Sequence, residues 1–210
     1  MKIGIIGSGN VGSALGKIWG RGGHNILFSS RHPEELRGLA ESIGKNVSYG
    51  IPAEAVKFGE VVVLAVPWTQ AKDVLKSAGS FNGKVLVDCT NPLKPDLSGL
   101  AVEPNTSAAE EVAKVARDAR VVKAFNTTFA AIMQSESRMF GSVRPVGLYC
   151  SDDDSAKVVV SGLIRETGLE PVDAGPLMSA RYLESMAMLI IQLAFVRGMG
   201  TDMAYALLRR

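Results

Sequence analysis

The chain is 210 residues long, 47% hydrophobic and 21% charged, enough to bury the core of one generous domain or of one domain with a small appendage. With 23 basic against 21 acidic residues the formal net charge is +2, without a long run of either sign, so charge offers no footing for DNA, RNA or an anionic membrane. Two cysteines, Cys89 and Cys150, are too few for a disulfide framework or a Cys-rich zinc site, and are expected as reduced, buried thiols in a cytoplasmic protein.

Short β-branched runs alternate with helical patterns over the first two-thirds of the chain, the rhythm of a parallel sheet with crossover helices. Lys2–Ile6 reads as a first strand and Asn10–Gly20 as a helix with Val11, Leu15, Ile18 and Trp19 on one face. A strand at Asn25–Phe28 precedes a helix at Pro33–Ile43, with proline near its first turn. Then come Val47–Tyr49, a short helix at Pro52–Val56, and Glu60–Val66, apolar enough for a strand buried on both faces. Thr69–Ala78 is helical, Lys84–Cys89 a strand, and Pro92–Thr106 a long loop of the kind that often covers a binding site. A helix at Ala108–Arg117, a sixth strand at Val121–Phe125, a strand at Val146–Cys150, a helix at Asp153–Gly168 and a closing strand at Glu170–Val172 follow. From Ala174 onward the chain reads as mostly helix. Residues 1–210 thus read as a single α/β dinucleotide-binding domain, a Rossmann-type, doubly wound, mostly parallel sheet with a helical C-terminal extension over 174–210. No signal peptide is expected, and Leu177–Val196 is too interrupted by Arg181, Glu184 and Gln192 to span a membrane.

The motif Gly7-Ser8-Gly9-Asn10-Val11-Gly12 supplies the chemistry. Alone, G-x-G-x-x-G is a weak signal; after an apolar strand and at the start of a helix it marks a pyrophosphate site on a helix N-terminus. An NAD enzyme would place a carboxylate at the end of the second strand to bind the ribose hydroxyls. Here the residues are Ser29-Ser30-Arg31-His32, and the first carboxylate is Glu34. Hydroxyls and a guanidinium suit the 2′-phosphate of NADP.

Ligands of open α/β sheets sit beyond the carboxyl ends of the strands. There the chain offers Ala65-Val66-Pro67-Trp68, Thr90-Asn91 and Asn126-Thr127. These are walls and hydrogen-bonding points for flat rings, and hydride transfer needs positioning more than an acid or a base. Lys123 reads as a strand-edge cation rather than a base, and Asp152-Asp153-Asp154 as a helix start rather than a metal cluster. His24 reads as a surface-turn residue. With only two histidines and no ligand spacing, no metal is expected.

Gly7–Gly12, Ser29-Ser30-Arg31, Val66-Pro67-Trp68, Asp173-Ala174-Gly175-Pro176-Leu177 with Arg181 and Glu184, and Gly198-Met199-Gly200 before Leu207-Leu208 together resemble the NADP oxidoreductases that depend on the deazaflavin coenzyme F420. Thr90-Asn91-Pro92-Leu93 and Ala124-Phe125-Asn126-Thr127 look closer to bacterial relatives and to the cytosolic reductase domain of the STEAP metalloreductases. The resemblance implies a homodimer in which NADP lies along the glycine loop. Ser30 and Arg31 would hold its 2′-phosphate, Pro67-Trp68 would lie near the nicotinamide, and a hydride would pass directly to F420 or a flavin. Other readings are a flavin-linked ferric reductase, an imine or keto-acid reductase, and an NADPH-sensing protein without turnover. The imine reductases usually carry a large helical domain with a catalytic lysine; the final forty residues here are too few and their only basic residues are arginines.

Overall fold

The computed structural model describes residues 1–210. Eight strands form one sheet: β1 (Lys2–Ile6), β2 (Asn25–Ser29), β3 (Val47–Gly50), β4 (Val61–Leu64), β5 (Val85–Asp88), β6 (Arg120–Ala124), β7 (Val146–Cys150) and β8 (Glu170–Asp173). Their order across the sheet is β3-β2-β1-β4-β5-β6-β7-β8, and only the β6–β7 junction is antiparallel. The chain winds outward from β1 through β2 and β3, then restarts beside β1 with β4 and winds the other way. A crevice therefore opens above the carboxyl ends of β1 and β4, where the direction reverses. This is the doubly wound Rossmann architecture expected.

Both faces of the central strands are buried because helices cover both. On one side α1 (Asn10–Arg21), the short α6 (Ala130–Gln134) and α7 (Asp154–Glu166) pack Leu15, Trp19, Met133 and Leu163 onto Ile3, Ile5 and Val63. The Trp19 indole N–H also donates to the Leu163 carbonyl at 3.2 Å, so the buried aromatic leaves no polar atom unpaired. On the other side α3 (Pro52–Phe58), α4 (Trp68–Ala78), α5 (Ala108–Val115) and α8 (Ala180–Ile191) bring Val56, Leu75, Val112 and Leu183 onto Val62, Leu64 and Leu86.

Three readings of the sequence need correction. The single helix expected at Pro33–Ile43 is a 3₁₀ turn, Pro33–Leu36, followed by a five-residue α2 (Arg37–Glu41). The C-terminal segment is helical only as far as Val196, α8 continuing as a π-turn at Gln192–Val196. Gly198 and Gly200 then take φ of +71° and +79°, which stops the helix, and residues 197–210 carry none. Instead the Tyr205 carbonyl accepts from Val146 N–H at 2.9 Å and its hydroxyl donates to Met186. Lys123 is not an edge cation: β7 and β8 extend the sheet beyond β6, and its side chain is fully buried. His24, placed at the turn before β2, is largely covered and bridges Glu166 at 2.8 Å. Leu177–Val196, although apolar enough to cross a membrane by length and composition, packs against α5 and β7, with Glu184 paired inside the fold and Arg181 paired with a half-buried Glu110.

Candidate active site

Gly7 ends β1 with φ of +100°, and a Cβ there would lie 2.4 Å from the Ala65 carbonyl oxygen, so the turn excludes any side chain. At Gly12 a Cβ would meet the Gly7 oxygen at 2.0 Å, which is why α1 can lie directly against the loop. Gly9 differs. A Cβ there meets no protein atom within 4 Å, so the space above it is open for a ligand. Gly9 is also the N-cap of α1, without a side-chain cap and without an acidic residue in the first turn. Its N–H groups and the positive end of the helix dipole face that space, the arrangement that takes a pyrophosphate.

On the β2 side the glycine loop borders a cleft of about 600 Å³, walled by Ser30, Arg31 and His32 and by Ala65, Val66 and Pro67. Arg31 is exposed and makes no ion pair or hydrogen bond within the protein, leaving its donor fork available to a phosphate. Ser30 keeps its hydroxyl near that wall, accepting from His32 N–H at 3.0 Å. Ser29 is different: it is fully buried and its hydroxyl donates to the Ile5 carbonyl, so it contributes wall, not a ligand contact. The opposite wall comes from Thr69, Gln70 and Asp73 on α4 and Pro52 at the start of α3, none singled out from the sequence. Their signal was present, Thr69, Gln70 and Asp73 being on one face of a helix that starts at a strand end.

On the β5–β6 side lies a second pocket of about 400 Å³ that shares the start of α1, Asn10 and Val11, with the glycine loop. Its polar points include Asn91, Asn126, Thr127, Thr128 and Gln134; its apolar walls include Phe129, Ile191 and Phe195, with Phe129 and Phe195 edge to face at 6.1 Å. No carboxylate, amine, guanidinium or imidazole lines it. Its one ionisable group, the Cys89 thiol, is pushed far above the ordinary thiol range by burial and then by neighbouring Asp88, so it stays protonated and inert. Phe125, buried edge to face with Trp19, turns the chain at φ +63°, a strained backbone for an aromatic residue, and delivers Asn126 and Thr127 to the pocket. Asn126 and Asn91 pair reciprocally: Asn91 Nδ2 donates to the Asn126 carbonyl at 2.9 Å, and Asn126 Nδ2 donates to Asn91 Oδ1 at 3.1 Å and to the Leu183 carbonyl at 3.0 Å. Asn126 Oδ1 is left buried without a partner.

Two candidates fall elsewhere. Trp68 turns away from both spaces and lines a separate open hollow with Lys72, Lys94 and Val102. The loop expected as a cover, Pro92–Thr106, borders that same hollow, and its Leu97 carbonyl accepts from Gln192 Nε2 at 3.3 Å. It roofs neither cleft. Asp153 caps α7, accepting from Ala156 N–H at 2.7 Å, as a helix-start acid should. No cluster of residues suited to a metal ion is present.

A glycine cradle with an uncapped helix, a free arginine where an NAD enzyme would need an acid, and an adjoining ring-sized pocket fit NADP together with a second planar partner. Known proteins agree. Residues 2–92 match the family of F420-dependent NADP oxidoreductases. The F420-dependent NADP reductase of Methanothermobacter marburgensis is 31% identical over 209 residues, with 92% of each chain covered. The metalloreductase STEAP3 of Rattus norvegicus is 33% identical over 190 residues, which span 90% of this chain but 37% of that protein. A crystal structure of a protein from Arthrobacter sp. FB24, assigned as an F420-dependent NADP reductase, superposes over the whole of both chains with a TM-score of 0.89 at 26% identity. With the archaeal reductase similar over 92% of both chains and the cofactor cradle intact, the chain belongs to the F420-dependent NADP reductase family and is an NADP-dependent oxidoreductase.

Proposed function

We propose that this protein passes a hydride between NADP(H), held along the glycine loop and the Arg31 wall, and a deazaflavin or flavin ring in the pocket at the ends of β5 and β6. One observation carries the reading: the pocket beside the glycine loop has hydrogen-bonding amides and hydroxyls and apolar walls, but no group able to trade a proton at neutral pH. Reduction of an imine or a keto acid calls for a proton donor at the new N–H or O–H. Hydride transfer to a flavin or deazaflavin leaves a delocalised anion on the acceptor ring that takes its proton from water afterwards, so no acid in the pocket is required. The archaeal relatives are named for F420, and their likeness extends over 92% of the chain; the STEAP relative is named a metalloreductase, which keeps a ferric chelate among the acceptors to be tried.

When bound, the nicotinamide supplies the hydride and the facing ring accepts it. The protein binds, orients and dries. The N–H groups of α1 and the backbone of Gly7–Gly9 hold the pyrophosphate, and Ser30 and Arg31 hold the 2′-phosphate. Asn126 Oδ1, buried and unpartnered, would accept from a ring N–H of the deazaflavin or flavin, while Asn91 and Thr127 complete the polar side. Phe129, Ile191 and Phe195 exclude water.

The assembly belongs to the same proposal. Residues 1–210 form a single soluble, cytoplasmic domain whose C-terminal segment meets a second copy across a two-fold axis. Leu189, Phe195, Val196, Met199 and Leu208 lie more than half exposed along α8 and the residues after it, a band too apolar to remain in water. The test of function is direct: mix the protein with NADPH and offer F420, FMN, FAD and a ferric chelate in turn. Bleaching of F420 or a flavin is expected. Oxidation of NADPH only in the presence of an imine or keto acid would overturn the reading.

A further inference from the structure

Lys123 lies three residues before Asn126 and is completely buried between two carboxylates. Its ammonium sits 2.9 Å from Asp88 Oδ2 and 2.8 Å from Glu184 Oε1, and it donates to the Thr90 carbonyl at 2.6 Å. Asp88 Oδ1 in turn accepts from Thr90 N–H at 2.9 Å, so both backbone groups of Thr90 are held by charged side chains. Glu184 is further held by Ala108 and Ala109 N–H at 2.9 and 3.2 Å, at the start of α5.

These contacts close a ring. Lys123 grips Thr90; Asn91, the next residue, pairs with Asn126; Asn126 donates to the Leu183 carbonyl; and Glu184, the residue after Leu183, returns to Lys123. The ends of β5 and β6 and the face of α8 are thereby locked together beneath the ring pocket. A buried ion triad is a weak device for stability alone, since apolar residues of similar volume often do as well. What this one does is hold a backbone turn and an amide pair in a single orientation.

We propose that Lys123, with Asp88 and Glu184, is a positioning residue for hydride transfer: through Thr90 and Asn91 it sets the orientation of Asn126 and hence of the ring that Asn126 contacts. This rests on the reading of the β5–β6 pocket as the ring site. Lys123 touches no ligand space itself, and the nucleotide cleft on the β2 side shares none of the ring's residues.

The obvious variant, Lys123→Met, leaves two carboxylates buried and threatens folding. Lys123→Met combined with Asp88→Asn leaves one buried carboxylate instead of two, Glu184, which keeps the N–H groups of Ala108 and Ala109. The amide oxygen that replaces the carboxylate still accepts from Thr90 N–H and Glu184 still sits on the α5 N-terminus, while the Thr90 carbonyl loses its grip. With F420 or FMN as acceptor, the double variant is expected to melt cooperatively and to bind NADPH within about twofold of the parent by fluorescence titration. Its single-turnover hydride-transfer rate should fall at least tenfold, so kcat drops without a matching change in NADPH affinity. An unchanged transfer rate overturns the proposal, and so does a parallel loss of NADPH binding and rate, which would mean that the triad only holds the fold. Asn126→Ala separates this from the pocket assignment. If that variant is slow while the double variant is not, positioning by Lys123 fails alone; if Asn126→Ala transfers hydride like the parent, the pocket reading fails with it.

Discussion

Arg31 and the three loop glycines have different jobs, and single substitutions should separate them. Arg31 has no partner inside the protein, so Arg31→Ala removes nothing from the fold. Its charge-assisted contact with a 2′-phosphate is worth about 1.5–3 kcal/mol. NADPH should bind roughly tenfold to a hundredfold more weakly and NADH almost unchanged; equal losses for both would give Arg31 a folding role instead. A Cβ at Gly9 meets no protein atom, and its φ of −65° suits alanine. Gly9→Ala should therefore keep the melting temperature and weaken NADPH and NADH together, because the methyl group stands where the pyrophosphate lies. Gly12→Ala should do the reverse first: its Cβ strikes the Gly7 oxygen, so the melting temperature falls before any binding is measured. A Gly12→Ala protein as stable as the parent would mean that α1 can move off the loop.

At the scale of an element, helix starts explain most of the acidic residues that look chemical. Asp153 caps α7 and also accepts from Ser155 Oγ at 2.6 Å, and these bonds hold its carboxyl below the ordinary carboxylate range. Asp153→Ala should lower the urea midpoint, since the cap is lost, and leave NADPH oxidation untouched; a loss of turnover would give the Asp152–Asp154 run a functional role instead. The loop 92–106 shows the opposite case. Its length suggested a cover, but the Leu93–Leu100 bridge folds it on itself and the Leu97 contact with Gln192 ties it to the end of the C-terminal helix, away from both clefts. Loop length reports that backbone is available, not which way it folds.

For the whole molecule, the titrating groups bracket the stable range. Glu110 is held below its ordinary value of 4.5 by Arg181, in a bidentate contact at 2.6 and 2.9 Å, and Glu111 by Lys114. Asp118, hydrogen-bonded to Ser80, is lowered likewise. A depressed carboxyl contributes stability that is present above its unfolded value and lost as pH falls through the folded one, so the urea midpoint should decline below about pH 4. Burial alone would lower the Lys123 ammonium, but Asp88 and Glu184 more than offset it and raise it above 10.5. A raised cation contributes stability that is lost as pH climbs through its folded value, so a second decline belongs on the alkaline side. A flat midpoint over both limbs would contradict the ion pairs. The exposed apolar band of the C-terminal segment makes a further demand: sedimentation at micromolar concentration should give a dimer, and a monomer would rule out the proposed interface. The fold was legible in the alternation of strand and helix patterns over the first two-thirds of the chain, and the glycine cradle in residues 2–31, because a strand, a glycine turn, a helix start and an arginine at the next strand end are local features whose geometry follows from short-range backbone and steric rules. Cys89 and Cys150 as inert buried thiols and Asp153 as a cap were legible for the same reason. Only the tertiary structure decided that Ser29 faces the strand, that Trp68 leaves the cleft, that the helix stops at Val196 and that Lys123 is buried. Each of these depends on a neighbour that the chain brings in from elsewhere. Glu184 lies 61 residues beyond Lys123, and no periodicity read along one strand can say that a carboxylate from a later helix will close over its lysine.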